Sequence, residues 1–246
     1  MDEEQLKQEL NRIPLRYTLP ISCFSEKGIA HPGNATVTLV HHRDRFFCVT
    51  NEHVVKGIQE QLDGTTYCQI GNKRFDLVEA HKFIDSENDL CCFEVQEDIA
   101  EDFSISGENP GFIPIPRDKV RIEPNAYVSF GGYPGCFRTS TPHGYQFDTF
   151  SHGGCLVSDV GDTMLSCRME RELEEEIQSD RRWEELSELG GISGSPVFTW
   201  VYEPIARIEL VGIVQEGELR IFESQTSPII ASRIHSEWMD KAVAEI

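Results

Sequence analysis

Gly191-Ile192-Ser193-Gly194-Ser195-Pro196 is the stretch on which the reading of this chain turns. A serine hydroxyl is a weak nucleophile at neutral pH, so it needs a base to take its proton and a third group to orient that base. It also needs backbone N–H donors aimed at the oxygen that becomes negative. Gly191 leaves room for an acyl group, and the N–H groups of Gly191 and Ser193 can point into one small concavity, with Gly190 as an assisting donor. Ser195 is the rival. A nucleophile in this setting needs a glycine two residues earlier, which Ser193 has and Ser195 lacks. A plain glycine–serine turn ahead of the strand Pro196-Val197-Phe198 would carry the same composition, but it accounts for this segment alone.

Upstream, Val49-Thr50-Asn51-Glu52-His53-Val54-Val55 sets His53 behind an apolar strand and the short turn Thr50-Asn51-Glu52. His41 and His42, on the adjoining hairpin, read as solvated turn residues. Between base and nucleophile lies Glu87-Asn88-Asp89-Leu90-Cys91-Cys92-Phe93-Glu94-Val95, an acid entering an apolar run. The orienting acid must be buried enough to hold one imidazole tautomer. Asp89 directly precedes the strand Leu90–Val95, whereas Asp85 sits in the polar run Asp85-Ser86-Glu87-Asn88 and reads as a solvated loop. The order along the chain is therefore His53, Asp89, Ser193.

Chain order separates the serine-hydrolase architectures: acid and histidine follow the serine in α/β-hydrolases, aspartate leads in subtilisins, and histidine leads in the chymotrypsin arrangement. At these residues the chain resembles the trypsin-like serine peptidases of chymotrypsin fold, and within them the bacterial Deg-like branch. Val128-Ser129-Phe130-Gly131-Gly132-Tyr133-Pro134-Gly135 resembles the strand that opens that branch's second barrel. Val211-Gly212-Ile213-Val214-Gln215-Glu216-Gly217 resembles the strand that holds substrate backbone. The resemblance covers roughly residues 25 to 230. It implies a mainly β fold of two six-stranded antiparallel β-barrels with a C-terminal helix. The expected divisions are a lead-in with a short helix (1–24), a first barrel with His53 and Asp89 (25–106), a linker (107–120), a second barrel with Ser193 (121–232) and the helix (233–246). The PDZ modules that Deg proteases carry are not expected here. The resemblance further implies a catalytic triad of His53, Asp89 and Ser193 and an oxyanion hole at Gly191 and Ser193. Substrate contacts would fall at Gln215, Glu216 and Gly217, with no metal or cofactor. Two departures stand out. Ile192 occupies the place where activated zymogens carry an aspartate, so activation through a new N-terminus is not expected. Gln215 stands where many relatives have a serine that bonds the catalytic acid.

The chain is 246 residues long, which suits two small β cores. Its net charge is −20, from 42 acids against 22 bases, so the surface repels phosphate backbones and nucleic acid is not an expected partner. The charge reads first as solubility, with a preference for basic protein substrates as the sharper alternative, to which Glu216 adds a hint. Met1–Leu10 is acidic and lacks the apolar core of a secretory signal, and no stretch has the ~20 apolar residues of a membrane span. The eight cysteines lack zinc spacing, and Val54 and Leu189 stand where secreted relatives carry cysteine. Buried free thiols in a reducing cytoplasm are expected.

Asn34–Val40 and Arg45–Thr50 alternate as a hairpin, Tyr67–Ile70, Arg74–Val78 and Leu90–Val95 add strands, and strands resume near Arg121. Residues 2–11 suggest an amphipathic helix through Leu6 and Leu10, and Ser236–Ile246 a terminal one. The segment 169–189 is the least typical: residues 170–188 hold nine acids and three arginines, while Met169, Leu173 and Ile177 recur at helical spacing. It reads as a solvated helical excursion or as an arm that docks a regulatory protein partner beside the oxyanion glycines. It also makes Ser187, the position that spacing assigns to the primary specificity pocket, an unsafe assignment. The expected activity is serine endopeptidase, acting on protein or peptide substrate. The rivals are an inactive protein-binding module of the same fold and a non-proteolytic acyl hydrolase.

Overall fold

A computed structural model of the chain describes residues 11–25, 30–61, 66–103, 111–141, 144–170, 189–201, 207–217 and 226–246. The helix expected over 2–11, the acidic segment between Met169 and Leu189 with Ser187, and the strand expected at Ile221 lie outside those residues, apart from a few at their edges. No helix among the described residues is long and apolar enough to cross a membrane.

The first unit is one sheet built from β1 (Thr18–Ser25), β2 (Ala30–His42), β3 (Arg45–Thr50), β4 (Thr66–Ile70), β5 (Lys73–Phe75), β6 (Lys82–Asp85), β7 (Leu90–Val95) and β8 (Ile113–Pro114). Strand order is β5-β4-β1-β2-β3-β7-β6, and β8 joins β2 in parallel. The expected closed six-stranded barrel is here a half-barrel among the described residues. Its edges are short for a local reason: β5 stops at Phe75 instead of running on to Val78, because the Asp76 carboxylate accepts the N–H groups of Val78 and Glu79, each at 3.1 Å, and turns the chain. The β2–β3 hairpin forms as read, through Arg43 and Asp44 at φ 50° and 60°, the left-handed pair that matches strand twist. The sheet starts at Thr18, ahead of the boundary at 25, since β1 pairs with both β2 and β4.

The second unit closes. Strands β9 (Tyr127–Gly132), β12 (Phe150–Val160), β13 (Met164–Glu170), β14 (Pro196–Val201), β15 (Arg207–Gly217) and β16 (Thr226–Ser232) form a six-stranded barrel in the order β12-β13-β16-β15-β14-β9. A side hairpin pairs β10 (Arg138–Thr141) with β11 (Gly144–Phe147). The first barrel strand begins at Tyr127, not near Arg121, because Asn125 at φ 68° and the Ala126 N–H to Glu123 carbonyl bond make a turn there. Among the described residues the α-helices of six or more residues are α1 (Glu52–Gln61), α2 (Glu97–Asp102) and α3 (Ser236–Glu245).

Cys91 and Cys92 point to opposite faces, as alternation requires. Cys91 packs into the first sheet's core with Val37 and Leu39, and Cys92 into the seam with Phe47 and Phe198. All eight cysteines are free thiols and seven are buried. Burial pushes the Cys23 thiol up to about 11 and those of Cys91 and Cys167 up to about 12, so they stay protonated.

The seam between the units is apolar, and Ile234 with Trp238, Met239 and Ala242 of α3 closes it against Phe83, Leu90 and Ile213. Two residues expected in solvated loops prove to be anchors for this helix. Asp85 ends β6 and accepts the Trp238 indole N–H at 2.9 Å, and His42 meets Asp240 at 2.7 Å beside the Arg43–Asp240 ion pair at 2.8 Å. Burial alone would raise the Asp85 carboxyl, but hydrogen bonds from Asn88 and Trp238 outweigh it and hold it below the usual range. A carboxyl lowered in the folded state stabilises above its unfolded value and loses that contribution as pH falls through the folded one. Trp238→Phe should therefore cost about 2–3 kcal/mol at pH 7 by urea unfolding, from a lost bond to a charged acceptor and lost packing. The gap should narrow below about pH 4, where ordinary aspartate protonates. A gap that does not change with pH would mean that packing alone is responsible.

Candidate active site

Strand β3 ends at Thr50 and the single residue Asn51 leads into α1, so His53 stands in the first turn of a helix rather than after a three-residue turn. Glu52 opens that helix, and its carboxylate accepts Lys56 and Ser86, each at 2.8 Å; these two bonds, Lys56 first, hold its carboxyl below the usual range. The sharp turn before β7 brings Asp89 beneath His53. Asp89 adopts φ 49°, a left-handed conformation that aspartate tolerates better than most residues. Its Oδ2 lies 2.6 Å from His53 Nδ1, and its Oδ1 accepts the His53 backbone N–H at 2.9 Å. A carboxylate on Nδ1 selects the tautomer with its proton there and leaves Nε2 as the acceptor. The histidine side chain is 52% exposed and the aspartate 17%, so the base faces the cleft while its orienter is shielded.

In the loop before β14 each backbone N–H and C=O that is shielded from water needs a partner. The N–H groups of Ile192, Gly194 and Ser195 donate to the carbonyls of Leu189, Val214 and Ile192. The carbonyls of Gly190, Ser193 and Ser195 accept from the N–H groups of Gly135, Thr36 and Val214. The Thr36 hydroxyl donates to the Gly191 carbonyl at 2.9 Å and the Thr38 hydroxyl to that of Gly194 at 2.7 Å. What remains includes the pair expected from the sequence: among the described residues the N–H groups of Gly191 and Ser193 have no acceptor, and neither has that of Gly190, the assisting donor.

Two glycines are forced here. Gly191 sits at φ 99°, and a Cβ on it would lie 2.6 Å from the Tyr133 carbonyl and 2.8 Å from the Gly135 nitrogen. Gly194, at φ 90°, would drive a Cβ into the Thr36 carbonyl and the Thr50 hydroxyl. Gly191→Ala should lower kcat by about 10²–10³, the size of a lost oxyanion donor. Its KM should change far less, as steady-state kinetics on one peptide would show. An unchanged kcat would remove Gly191 from the oxyanion hole.

The sequence reading missed the bolts that hold this loop to the first sheet. Thr36, Thr38 and Thr50 are all buried, and Thr50 Oγ1 donates to the Thr36 carbonyl at 2.9 Å. Threonines at alternate positions 36 and 38 of an otherwise apolar strand were the available signal, a polar row facing a seam. Ile192 is also an anchor. It lies fully buried in the second barrel's core beside Leu189 and Ile229, so apolar packing holds the loop where an ion pair does in an activated zymogen.

Asp89 and His53 are thus joined directly, and Ser193 is fixed through its carbonyl on Thr36. Among the described residues no hydrogen bond joins the Ser193 hydroxyl to His53. Such bonds are often long without substrate and tighten in the Michaelis complex. Gln215 occupies an irregularity in β15 where the register with β16 shifts, and among the described residues it makes no bond to Asp89. Pairing of β14 with β15 ends at Ile213, whereas β16 follows β15 to Gly217. Residues Gln215, Glu216 and Gly217 therefore have a strand neighbour on one side only among the described residues. Glu216 is exposed there. Among the described residues no three His, Cys, Asp or Glu side chains converge on a point that could hold a metal ion.

Solved structures share this architecture. An inactivated protease paralogue of the scabies mite is 14% identical over 98% of this chain and 99% of its own, with a TM-score of 0.53. A protease from M. tuberculosis in its active form is 13% identical over 100% of this chain and 87% of its own, at 0.49. Neuropsin, a serine protease expressed in the limbic system of mouse brain, is 11% identical over 90% and 92%, also at 0.49. The fold is that of the chymotrypsin-like serine proteases. At such identities the likeness speaks to fold alone, and the chemistry rests on the geometry above. No family model and no curated protein matches the sequence.

Proposed function

We propose that the chain is a serine endopeptidase. The observation that carries this reading is the pair of unaccepted N–H groups at Gly191 and Ser193, in a loop bolted beside the His53–Asp89 pair. Ser193 Oγ attacks the scissile carbonyl while His53 Nε2 takes its proton. Negative charge develops on the carbonyl oxygen and is met by the two amides. Collapse expels the amine, which receives the proton from His53, and leaves an acyl-enzyme on Ser193. Water, activated by the same histidine, then releases the acid. Asp89 keeps the imidazole in one tautomer throughout. Substrate backbone adds as a strand along Gln215–Gly217. A fluorophosphonate probe should label the wild-type protein and not Ser193→Ala. Equal labelling of both would defeat the assignment.

The exposed Glu216 on that edge supports a preference for basic side chains near the cleaved bond. Sequencing of new N-termini after adding the enzyme to a proteome would test it, and cleavages clustered after Gln, Glu or large apolar residues would remove it. Kinship with the Deg-like branch rests on the Val128–Gly135 stretch, and the buried free thiols support a reducing, cytoplasmic setting. One observation favours a second reading, a protein-binding module of the same fold: the missing Ser193–His53 hydrogen bond. Failure of the wild type to label with any serine-directed probe would favour that reading.

A further inference from the structure

Both oxygens of the Asp89 carboxylate are held by His53 itself, Oδ1 by the backbone N–H and Oδ2 by ring Nδ1. No third donor reaches this carboxylate among the described residues. A half-exposed histidine cannot both aim the acid and be aimed by it. The direction of the carboxylate must therefore come from the Asp89 main chain, which stands in the left-handed region at φ 49°.

Three bonds fix that main chain. The Asn51 side-chain Nδ2 donates to the Asp89 carbonyl at 3.0 Å, and the Glu52 N–H joins it at 3.3 Å. The Ser232 hydroxyl donates to the carbonyl of the preceding Asn88 at 2.6 Å. Asn51 and Ser232 are both fully buried. Asn51 Oδ1 has no partner among the described residues, and a buried amide oxygen without a partner is destabilising. Residue 51 thus keeps a costly side chain whose one engaged atom is the donor to Asp89. Ser232 ends the last strand of the second barrel, while Asp89 sits in the turn that joins β6 to β7 of the first sheet, so a hydroxyl from one unit sets the acid in the other.

We propose that Asn51 and Ser232 are positioning residues that aim Asp89 through its backbone, in place of a side-chain donor to its carboxylate. The proposal rests on the peptidase reading for its kinetic consequence only. Ser232→Ala and Asn51→Ala should each lower kcat roughly 10- to 100-fold, the usual size of an effect exerted through a ligand's supporting partner, with KM within about twofold. The strongly deshielded proton resonance of the His53 Nδ1–H···Asp89 bond should move upfield or be lost to exchange in both variants. Ser232→Thr, which keeps the hydroxyl, should restore resonance and kcat together. Unchanged kcat and resonance in both alanine variants would overturn the proposal. So would a fall in kcat matched by the unfolded fraction, with the resonance intact in the folded remainder. A wild type that neither hydrolyses peptides nor labels would defeat the peptidase reading, while the resonance, read without substrate, would still decide whether Asn51 and Ser232 aim Asp89.

Discussion

Ser193→Ala should lower kcat for peptide hydrolysis by about 10⁶-fold, the effect of deleting the nucleophile from a triad that works as a unit. The fold should survive. The Ser193 hydroxyl has no hydrogen-bond partner among the described residues, so its removal strands no buried donor or acceptor. The residue's structural duty lies in its carbonyl, which Thr36 holds at 3.0 Å, and alanine keeps that carbonyl. Alanine also keeps the N–H that serves the oxyanion. A residue of about 10³–10⁴-fold catalysis over water should therefore remain, from the oxyanion donors and binding alone. Thermal unfolding and single-turnover kinetics on one peptide check both halves. A variant that stays folded and loses less than tenfold would show that Ser193 is not the nucleophile.

How much of this was legible in the sequence depends on how local each signal is. Alternation named β2, β3 and β7 because their inward faces are apolar and their turns carry Arg43-Asp44 and Asn88-Asp89. It missed β1, whose Pro20 reads as a break but lies opposite Thr36 within a paired strand. The glycines of Gly191-Ile192-Ser193-Gly194 were legible because positive φ and close backbone approach leave few other residues. Their partners were not, because Thr36, Thr38 and Ser232 reach the site only when two units far apart in sequence close on each other. Asp85 and His42 misled for the same reason. Each sits in a polar run that suggests solvent, and the partner that makes each an anchor, Trp238 for Asp85 and Asp240 for His42, arrives only with the docking of α3. The edge at β5 was set by one carboxylate, Asp76, against the propensity of the residues after it.

Asp89→Asn should lower kcat by about 10⁴-fold near neutral pH while leaving the fold in place. The substitution changes almost no volume, and asparagine adopts the left-handed backbone at φ 49° as readily as aspartate. The bonds from Asn51 and Glu52 go to the backbone carbonyl and are kept. Only the character of one atom changes. The amide oxygen takes the His53 backbone N–H, which leaves the NH₂ facing Nδ1. A donor at that position is satisfied only by an unprotonated Nδ1, so the imidazole proton moves to Nε2. A histidine protonated at Nε2 cannot take the Ser193 proton, and the loss follows from tautomer alone. Asp85→Asn provides the contrast, since that acid anchors Trp238 and should alter stability with little change in kcat. If Asp89→Asn cost less than tenfold, or Asp85→Asn cost more, the orienting role would have to leave Asp89.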